Sequence, residues 1–376
     1  MISIDLEHKE KAPDAWPEVF KYREDIDGLK KALDGLGVFE RIIVVGNGGS
    51  ITSYDAYFWG LCSRCESQTV WTMDPALLER TKKHFLNDGK TVVVAVSKSG
   101  NTLGQIESLL YFNDYPVVVV TNPNEGALSE IAKKLNYLII PHPPIGGRFS
   151  AGTASAFVPS YLAGMDIKRI QEGIIGGYQQ KENAFQVASF YYDLEKKGYE
   201  EIYVTCYSEL LGGFANLVIQ LMHESVCKEG KGQTFYFAMG PEAQHHTNQR
   251  FLGGKKNVIG TFIVAEKSQH DLKQEIPDLV KDVNLRSDKL SILDNVSFQD
   301  ALHAEYLGTK RDSDLNKIPN VTISLSSVDD VSVGELVAFW HMVAFYSAIL
   351  RDVDPFNQPA VENSKKITLG ILKSHR

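Results

Sequence analysis

One segment of the chain combines residue types that suit phosphate binding: residues 92–102, VVVAVSKSGNT. The β-branched run predicts a buried strand, and a helical pattern follows the polar turn. Ser97, Ser99 and Thr102 thus place three hydroxyls beside Lys98 and the free backbone N–H groups of a helix N-terminus, where an anion is favoured. The alternative is an ordinary helix N-cap, but a cap needs only one hydroxyl and this turn has three. Because the Gly-Lys-Ser/Thr ending of a nucleotide-binding P-loop is missing, the segment favours the monoester of a small phosphorylated metabolite.

A second glycine-rich turn, GNGGS at residues 46–50, follows a predicted strand at residues 41–45 and opens another helical pattern. Such a turn alone often serves only backbone geometry. In a parallel sheet, however, neighbouring strand ends form the crevice in which ligands bind. We therefore expect this turn, through Ser50, to help close the phosphate pocket.

Two further segments carry charged side chains at positions suited to chemistry. Arg148 lies between flexible glycines and a small-residue helix, from which it can reach a phosphate or a developing oxyanion; the alternative is a surface ion pair. Glu242 follows a predicted strand at residues 234–238, as a candidate general base or as a carboxylate that serves a helix dipole. The adjacent His245 and His246 lack the further ligand spacing of a metal site, so no metal is expected.

The length, composition and charge of the chain exclude several classes of function. A chain of 376 residues is long enough for two domains, and its 43% hydrophobic and 23% charged content is typical of globular proteins. The net charge of −8 gives no basic field for nucleic acid. We see no signal peptide and no apolar run approaching the roughly 20 residues of a membrane span, so a cytoplasmic protein is expected. The cysteines are predicted to be reduced structural thiols: Cys62, Cys65, Cys206 and Cys227.

Strand and helix patterns alternate twice along the chain, which predicts an α/β fold with two doubly wound parallel-sheet domains. The predicted strands cover residues 41–45, 70–73, 92–97, 117–121 and 137–141, and then 201–206, 234–238, 258–264 and 321–325. The expected division is a helical segment at residues 1–40, a first domain at 41–165, a second with a helical linker at 166–330, and a C-terminal helical segment at 331–376. A helix at residues 334–350 is apolar nearly all round and is expected to be buried between lobes or subunits.

In this order, the motifs resemble those of the phosphoglucose isomerase family. VGNGGS and SKSGNT match the family's glycine-serine turn and phosphate loop, and GGRFS matches its arginine motif. The most specific match is DPFNQPAVENSK at residues 354–365, which is similar to the family signature Asp-Gln-x-Gly-Val-Glu-x-x-Lys. The resemblance covers roughly residues 40–370. Asn357 and Ala360 depart from the signature, and Gly100 and Asn101 depart from the usual phosphate loop.

The resemblance implies two sugar-isomerase (SIS) domains with a C-terminal helical segment, a homodimer, and no cofactor or metal. Arg148 matches the arginine near the reacting carbons, and Glu242 the carboxylate that moves the proton. His270 matches the ring-opening histidine, which the partner subunit would supply. By the same resemblance, Gln358 and Lys365 contact the substrate, and the phosphate-binding residues are Gly49, Ser50, Ser97, Lys98, Ser99 and Thr102.

The implied activity is the interconversion of glucose 6-phosphate and fructose 6-phosphate through a cis-enediolate, in glycolysis and gluconeogenesis. One alternative is an isomerase that also accepts mannose 6-phosphate. Another is a non-catalytic SIS-domain regulator that binds sugar phosphates. A regulator would need the phosphate loop but not Glu242, Gln358 and Lys365, and the chain shows no helix-turn-helix segment for DNA. We therefore expect a sugar-phosphate substrate and neither a nucleic acid nor a membrane as partner.

Overall fold

The fold is given by a computed structural model, which describes residues 1–6, 11–61, 64–270 and 272–374. The N-terminal segment contributes the short strand β1 (Ser3–Ile4) and the helix α1 (Ile26–Leu33). This segment differs from the helical expectation, because β1 pairs antiparallel with the last strand of the second sheet. Strand pairing across more than 300 residues leaves no local pattern from which it could be predicted.

The first sheet has the strand order β3-β2-β4-β5-β6, and all its strands are parallel. Its elements are β2 (Arg41–Val45), α2 (Thr52–Leu61), β3 (Glu66–Val70), α3 (Pro75–His84), β4 (Thr91–Ser97), α4 (Leu103–Tyr111), β5 (Val117–Thr121), α5 (Ala127–Lys134) and β6 (Leu138–Pro141). β3 lies earlier than the predicted strand at residues 70–73. It is an edge strand whose first residues are polar and partly exposed, so an apolar run does not mark it.

Three helices join the two sheets: α6 (Ala154–Leu162), α7 (Ile167–Tyr178) and α8 (Lys181–Glu195). The second sheet has the order β1-β12-β9-β7-β8 and is parallel except for β1. Its part of the chain comprises β7 (Glu201–Tyr207), α9 (Phe214–Val226), β8 (Thr234–Met239), α10 (Thr247–Gly253), β9 (Val258–Ala265), the hairpin strands β10 (Asn284–Leu285) and β11 (Asp288–Lys289), α11 (Phe298–Leu315) and β12 (Asn320–Leu325). The predicted α/β class with two parallel-sheet domains is thereby confirmed.

The chain ends in α12 (Asp330–Leu350) and α13 (Glu362–Ser374), which differ sharply in burial. α12 packs against α7 at glycines: a Cβ atom on Gly177 would lie 2.8 Å from Ala338, and one on Gly334 would lie 2.3 Å from the carbonyl oxygen of Ile170. Contrary to the sequence expectation, α12 is long and apolar enough to cross a membrane by length and composition. However, 83% of its apolar window is buried inside the protein, as in a core helix.

Among the described cysteines, Cys206 and Cys227 are free thiols. Burial raises the pKa of Cys65 and of Cys206 to about 12, so both thiols stay protonated at neutral pH. Cys62, the remaining cysteine, lies outside the described residues.

Asp55 on α2 gives the fold a pH dependence that can be measured. Burial raises the pKa of its carboxyl to about 6, although the Thr69 hydroxyl donates a hydrogen bond of 2.6 Å to it. The folded protein therefore holds this proton more tightly than the unfolded chain, and its contribution to stability is lost as the pH rises from about 4 to about 6. Between pH 5 and pH 8, we expect this group to lower the free energy of unfolding by about 1.4 kcal/mol.

Asp55→Asn keeps a hydrogen-bond acceptor for Thr69 and removes the titration. Urea unfolding at pH 5 and pH 8 should show the variant losing less stability across this range than the wild type. Asp27→Asn, at an exposed position on α1, is the control and should leave the pH difference unchanged. Equal pH dependence in Asp55→Asn and the wild type would refute the assignment.

Candidate functional site

The two predicted phosphate turns lie side by side at one edge of the first sheet. β2 and β4 are neighbouring parallel strands, with Val45 opposite Ala95, so their carboxyl ends meet. After β2 the chain forms the 3-10 turn Gly48–Ser50 and enters α2. After β4 it turns through Gly100, whose φ of +64° is in the region that favours glycine, and enters α4. The sheet thus forms the crevice in which such folds bind ligands.

The loop after β4 leaves anion-binding groups free at the start of α4. Thr102 is the N-cap residue of α4, and its side chain makes no capping hydrogen bond to the described chain. The Ser99 hydroxyl accepts the backbone N–H of Asn101 at 3.3 Å, while the Asn101 side chain accepts the N–H of Ala127 at 3.0 Å. Asn101 therefore ties the loop to α5. Lys98 is exposed, with Nζ 3.4 Å from the carbonyl oxygen of Pro144.

Gly49 brings the phosphate turn into backbone contact with the arginine motif. A Cβ atom at Gly49 would lie 2.1 Å from the backbone nitrogen of Arg148, so no other residue fits without moving one of the two turns. Arg148 itself lies in the 3-10 turn Gly147–Phe149. This close approach places the arginine next to the crevice.

The Arg148 guanidinium is buried, and all five of its N–H groups donate to protein acceptors. Burial lowers its pKa, an effect that the nearby Glu224 carboxylate opposes, and the group remains charged. Two of the acceptors belong to α9, and three belong to the segment between α12 and α13. The acceptors are Ser225 Oγ at 2.9 Å, Glu224 Oε2 at 3.1 Å, Gln358 Oε1 at 2.8 Å, Pro355 O at 2.5 Å and Asn357 O at 3.0 Å.

α9 presents a polar face to this crevice. The Gln220 amide donates to Glu224 Oε1 at 3.1 Å and accepts the hydroxyl of Thr52 at 3.3 Å. Gln220 also lies against the phosphate turn, since a Cβ atom on Gly48 would be 2.6 Å from its amide nitrogen. Glu224 therefore has a partner at each oxygen, while 31% of its side chain stays exposed. The arrangement is a fixed carboxylate within reach of solvent and ligand.

Sequence reasoning missed Gln220 and Glu224, although it predicted the helix that carries them. The signal was their spacing of four residues, which puts both side chains on one face of a largely apolar helix. Polar residues on a face that should be buried indicate either a partner across the interface or a ligand.

The structure does not join Glu242, His270 or Lys365 to this cluster. Glu242 is exposed at the start of the 3-10 turn Glu242–His245 after β8. His270 is also exposed, and its backbone N–H donates to Ser268 Oγ at 3.0 Å. Lys365 lies on α13, whose side chains are all exposed, and its Nζ is 2.7 Å from Glu362. Within the described residues, none of the three is hydrogen-bonded or ion-paired to Arg148, Glu224 or Gln358.

The segment after β8 borders a separate open pocket of about 470 Å³. Its lining is polar and includes two exposed imidazoles. The lining residues are Gln244, His245, His246, Asn248, Gln249, Leu252, Gly253 and Asn316.

Known proteins resemble the chain over nearly its whole length. A glucose-6-phosphate isomerase of Methanocaldococcus jannaschii is 29% identical over 371 residues, covering 94% of this chain and 88% of the relative. A probable glucose-6-phosphate isomerase of Methanococcus maripaludis is 30% identical over 356 residues, covering 89% and 79%. The crystal structure of a glucose-6-phosphate isomerase from Chlamydia trachomatis shares the fold, with a TM-score of 0.79 at 19% identity over 93% of this chain and 73% of that one.

No protein-family model matches the chain. The similarity to the Methanococcus relative nevertheless extends over 89% of the chain. The family resemblance read from the four motifs is thereby confirmed, and the chain belongs to the glucose-6-phosphate isomerase family.

Proposed function

We propose that this chain interconverts glucose 6-phosphate and fructose 6-phosphate by proton transfer between C1 and C2. Membership of the family supports this activity. The observation that carries the chemistry is the Glu224 carboxylate, which Arg148 and Gln220 hold beside the phosphate turn. The reaction needs one group that removes a proton and returns it to the neighbouring carbon, and a fixed carboxylate can do both.

The crevice supports anchoring of the substrate at its phosphate. The hydroxyls of Ser99 and Thr102, the turn at Gly48–Ser50 and the N-terminus of α4 converge there. Phosphate held in this way contributes to binding in both the ground state and the transition state. The sugar then extends from its 6-phosphate with C1 and C2 at the far end, so the base must be displaced from the phosphate loop.

Glu224 satisfies this requirement better than Glu242 does. Gln220 contacts the phosphate turn, and Glu224 follows four residues later, about 6 Å along α9. Glu242 is separated from the Arg148 cluster and has no described side-chain partner that would fix its carboxylate. We therefore propose Glu224 as the proton-transferring base and keep Glu242, the residue predicted from the sequence, as the alternative.

Arg148 supports the reaction through its charge and its contacts. A positive charge beside the reacting carbons offsets the negative charge that develops on an enediolate. Since its five N–H groups already have protein acceptors, Arg148 also fixes the positions of Glu224 and Gln358. Gln358 can present its amide N–H groups to the sugar, because only its oxygen is engaged by Arg148.

Ring opening requires a group that the described crevice does not hold, and we propose that the partner subunit of a homodimer supplies it. His270 lies in the long segment between β9 and α11, which exposes apolar side chains. Leu279, for example, is 94% exposed. A second copy of the chain would cover this surface. Lys365, on the exposed helix α13, is proposed to act in the same step.

The primary experiment measures fructose 6-phosphate formation from glucose 6-phosphate, with and without a chelator. We expect wild-type activity in both conditions. Glu224→Gln should lower kcat by about 10²–10⁴-fold, because the amide keeps the shape but cannot accept the proton. Loss of activity in Glu242→Gln instead, with Glu224→Gln active, would assign the base to Glu242. Inactive wild type would refute the proposed function, and chelator-sensitive activity would refute the metal-free mechanism.

The phosphate anchor is tested with Thr102→Ala. Loss of the hydroxyl should raise KM for glucose 6-phosphate more than it lowers kcat, because the contact exists before and during the reaction. Thr102→Ser keeps the hydroxyl and should retain a KM near the wild-type value. An unchanged KM in Thr102→Ala would contradict the placement of the phosphate.

The shared site is tested by mixing inactive chains. His270→Ala and Glu224→Gln chains should complement each other, because each mixed dimer regains one intact site. After random exchange, activity should recover to about a quarter of the wild-type value. A parallel mixture with His245→Ala examines the other exposed imidazole. If a tag confirms that subunits have exchanged but neither mixture recovers activity, the imidazole that opens the ring belongs to the same chain as Glu224.

A further inference from the structure

His341 is a buried titratable residue for which the proposed reaction has no direct use. It lies in the middle of α12 and is fully buried. Its ring is surrounded by aromatic side chains and lies beneath the turn that carries Arg148. The Phe149 ring meets it edge-on with centroids 5.3 Å apart, and the Phe20 and Tyr178 rings stack at 6.4 and 6.2 Å.

The two ring nitrogens of His341 have different surroundings. Nδ1 is 2.8 Å from the Tyr178 hydroxyl. Nε2 is fully buried and has no hydrogen-bond partner among the described residues. The ring also contacts the backbone of Arg148, and this contact raises the pKa of the imidazole against the stronger effect of burial, which lowers it to about 3. The imidazole is therefore neutral at every pH at which the protein would be assayed.

A neutral imidazole has one donor and one acceptor. When the Tyr178 hydroxyl donates to Nδ1, the ring proton lies on Nε2. Nε2 then carries a proton with no acceptor at hydrogen-bond distance among the described residues, and the Arg148 backbone is the polar group beyond Tyr178 that acts on the ring. The His341 ring therefore contacts the arginine turn through the Phe149 ring, while Gly49 approaches the backbone of the same turn.

The helices that carry this pair cannot move freely relative to each other. Tyr178 ends α7, and His341 lies on α12. A Cβ atom on Gly173 would lie 2.0 Å from the carbonyl oxygen of Val331, which shows how closely the two helix backbones approach. His341 and Tyr178 are therefore set by main-chain packing, and the arginine turn rests on that fixed pair.

We propose that His341 is a positioning residue that holds the Gly147–Phe149 turn and, through Arg148, orients Glu224 and Gln358 for proton transfer. This inference rests on the proposed function, because its effect on turnover passes through the Arg148 hydrogen bonds. It also has a consequence that does not depend on turnover. Since Arg148 holds the segment at residues 355–358, loosening the turn must loosen that segment.

The alternative is that His341 serves only as an aromatic core side chain, and His341→Phe separates the two. Phenylalanine keeps the ring packing and loses both nitrogens. We expect kcat to fall at least about tenfold while KM for glucose 6-phosphate changes little, because the phosphate loop is held independently. Deuterium uptake in peptides covering residues 354–358 should rise.

His341→Gln is the rescue variant, because its amide nitrogen can reach the position of Nε2; it should restore part of kcat and of the protection from exchange. Ser347→Ala is the matched control. It removes from α12 a different buried polar group without a described partner, the Ser347 hydroxyl, and should change neither kcat nor deuterium uptake.

Deuterium uptake at the wild-type level in His341→Phe overturns the proposal, whatever the activity of the variant. Faster uptake combined with a wild-type kcat also overturns it. An inactive wild-type protein would refute the proposed function alone, because the exchange measurement would still show whether His341 holds the segment. If His341→Phe fails to fold, His341→Asn replaces it, because its amide can take the position of Nδ1 but not that of Nε2. Lower kcat and faster deuterium uptake at residues 354–358 in His341→Asn than in His341→Gln support the proposal, and equal values in the two variants overturn it.

Discussion

A buried guanidinium must have an acceptor for each of its donors, and this constraint determines how the parts of the molecule meet. An unpaired buried charge is far more costly than a satisfied one, so the five acceptors of Arg148 are held together as one unit. They come from two distant parts of the chain. The arginine turn, α9 and the segment before α13 therefore converge at one point.

The convergence adds a cluster of charged and polar side chains to the crevice where we propose that the phosphate binds. Parallel sheets of this kind already offer an anion-binding edge, which many unrelated proteins use for binding alone. Here Gly49 permits the arginine turn to touch the phosphate turn, and Gln220 connects the same turn to Glu224. In the proposed reaction, this arrangement holds the Glu224 carboxylate at a set distance from the substrate phosphate, as proton transfer along a sugar chain needs.

The sequence predicted the features that depend on local pattern. The strand endings at Val45 and Ser97 carry their own polar turns, and the α/β alternation follows from short apolar runs separated by helical patterns. The polar edge strand β3 and the strand β1 were not predicted, because the first lacks an apolar run and the second depends on a partner more than 300 residues away. The contacts of Arg148 span 76 residues to Glu224 and 210 to Gln358, so no local signal connects them. Family resemblance singled out Arg148 and Gln358, which the structure joins by a hydrogen bond, whereas the position of α9 beside them became visible only in three dimensions.

Two of the five Arg148 hydrogen bonds go to backbone carbonyls, those of Pro355 and Asn357. The type of acceptor determines which substitutions each position can tolerate. A main-chain oxygen is present whatever side chain the residue carries. Asn357, a departure from the family signature, can therefore occur without removing the bond, since the amide side chain is not the acceptor. Gln358 has no such freedom, because it accepts through its side chain. Among homologues, we would expect substitutions to accumulate at position 357 and be rare at 358, so that the tolerance of each position reports which atom the arginine uses.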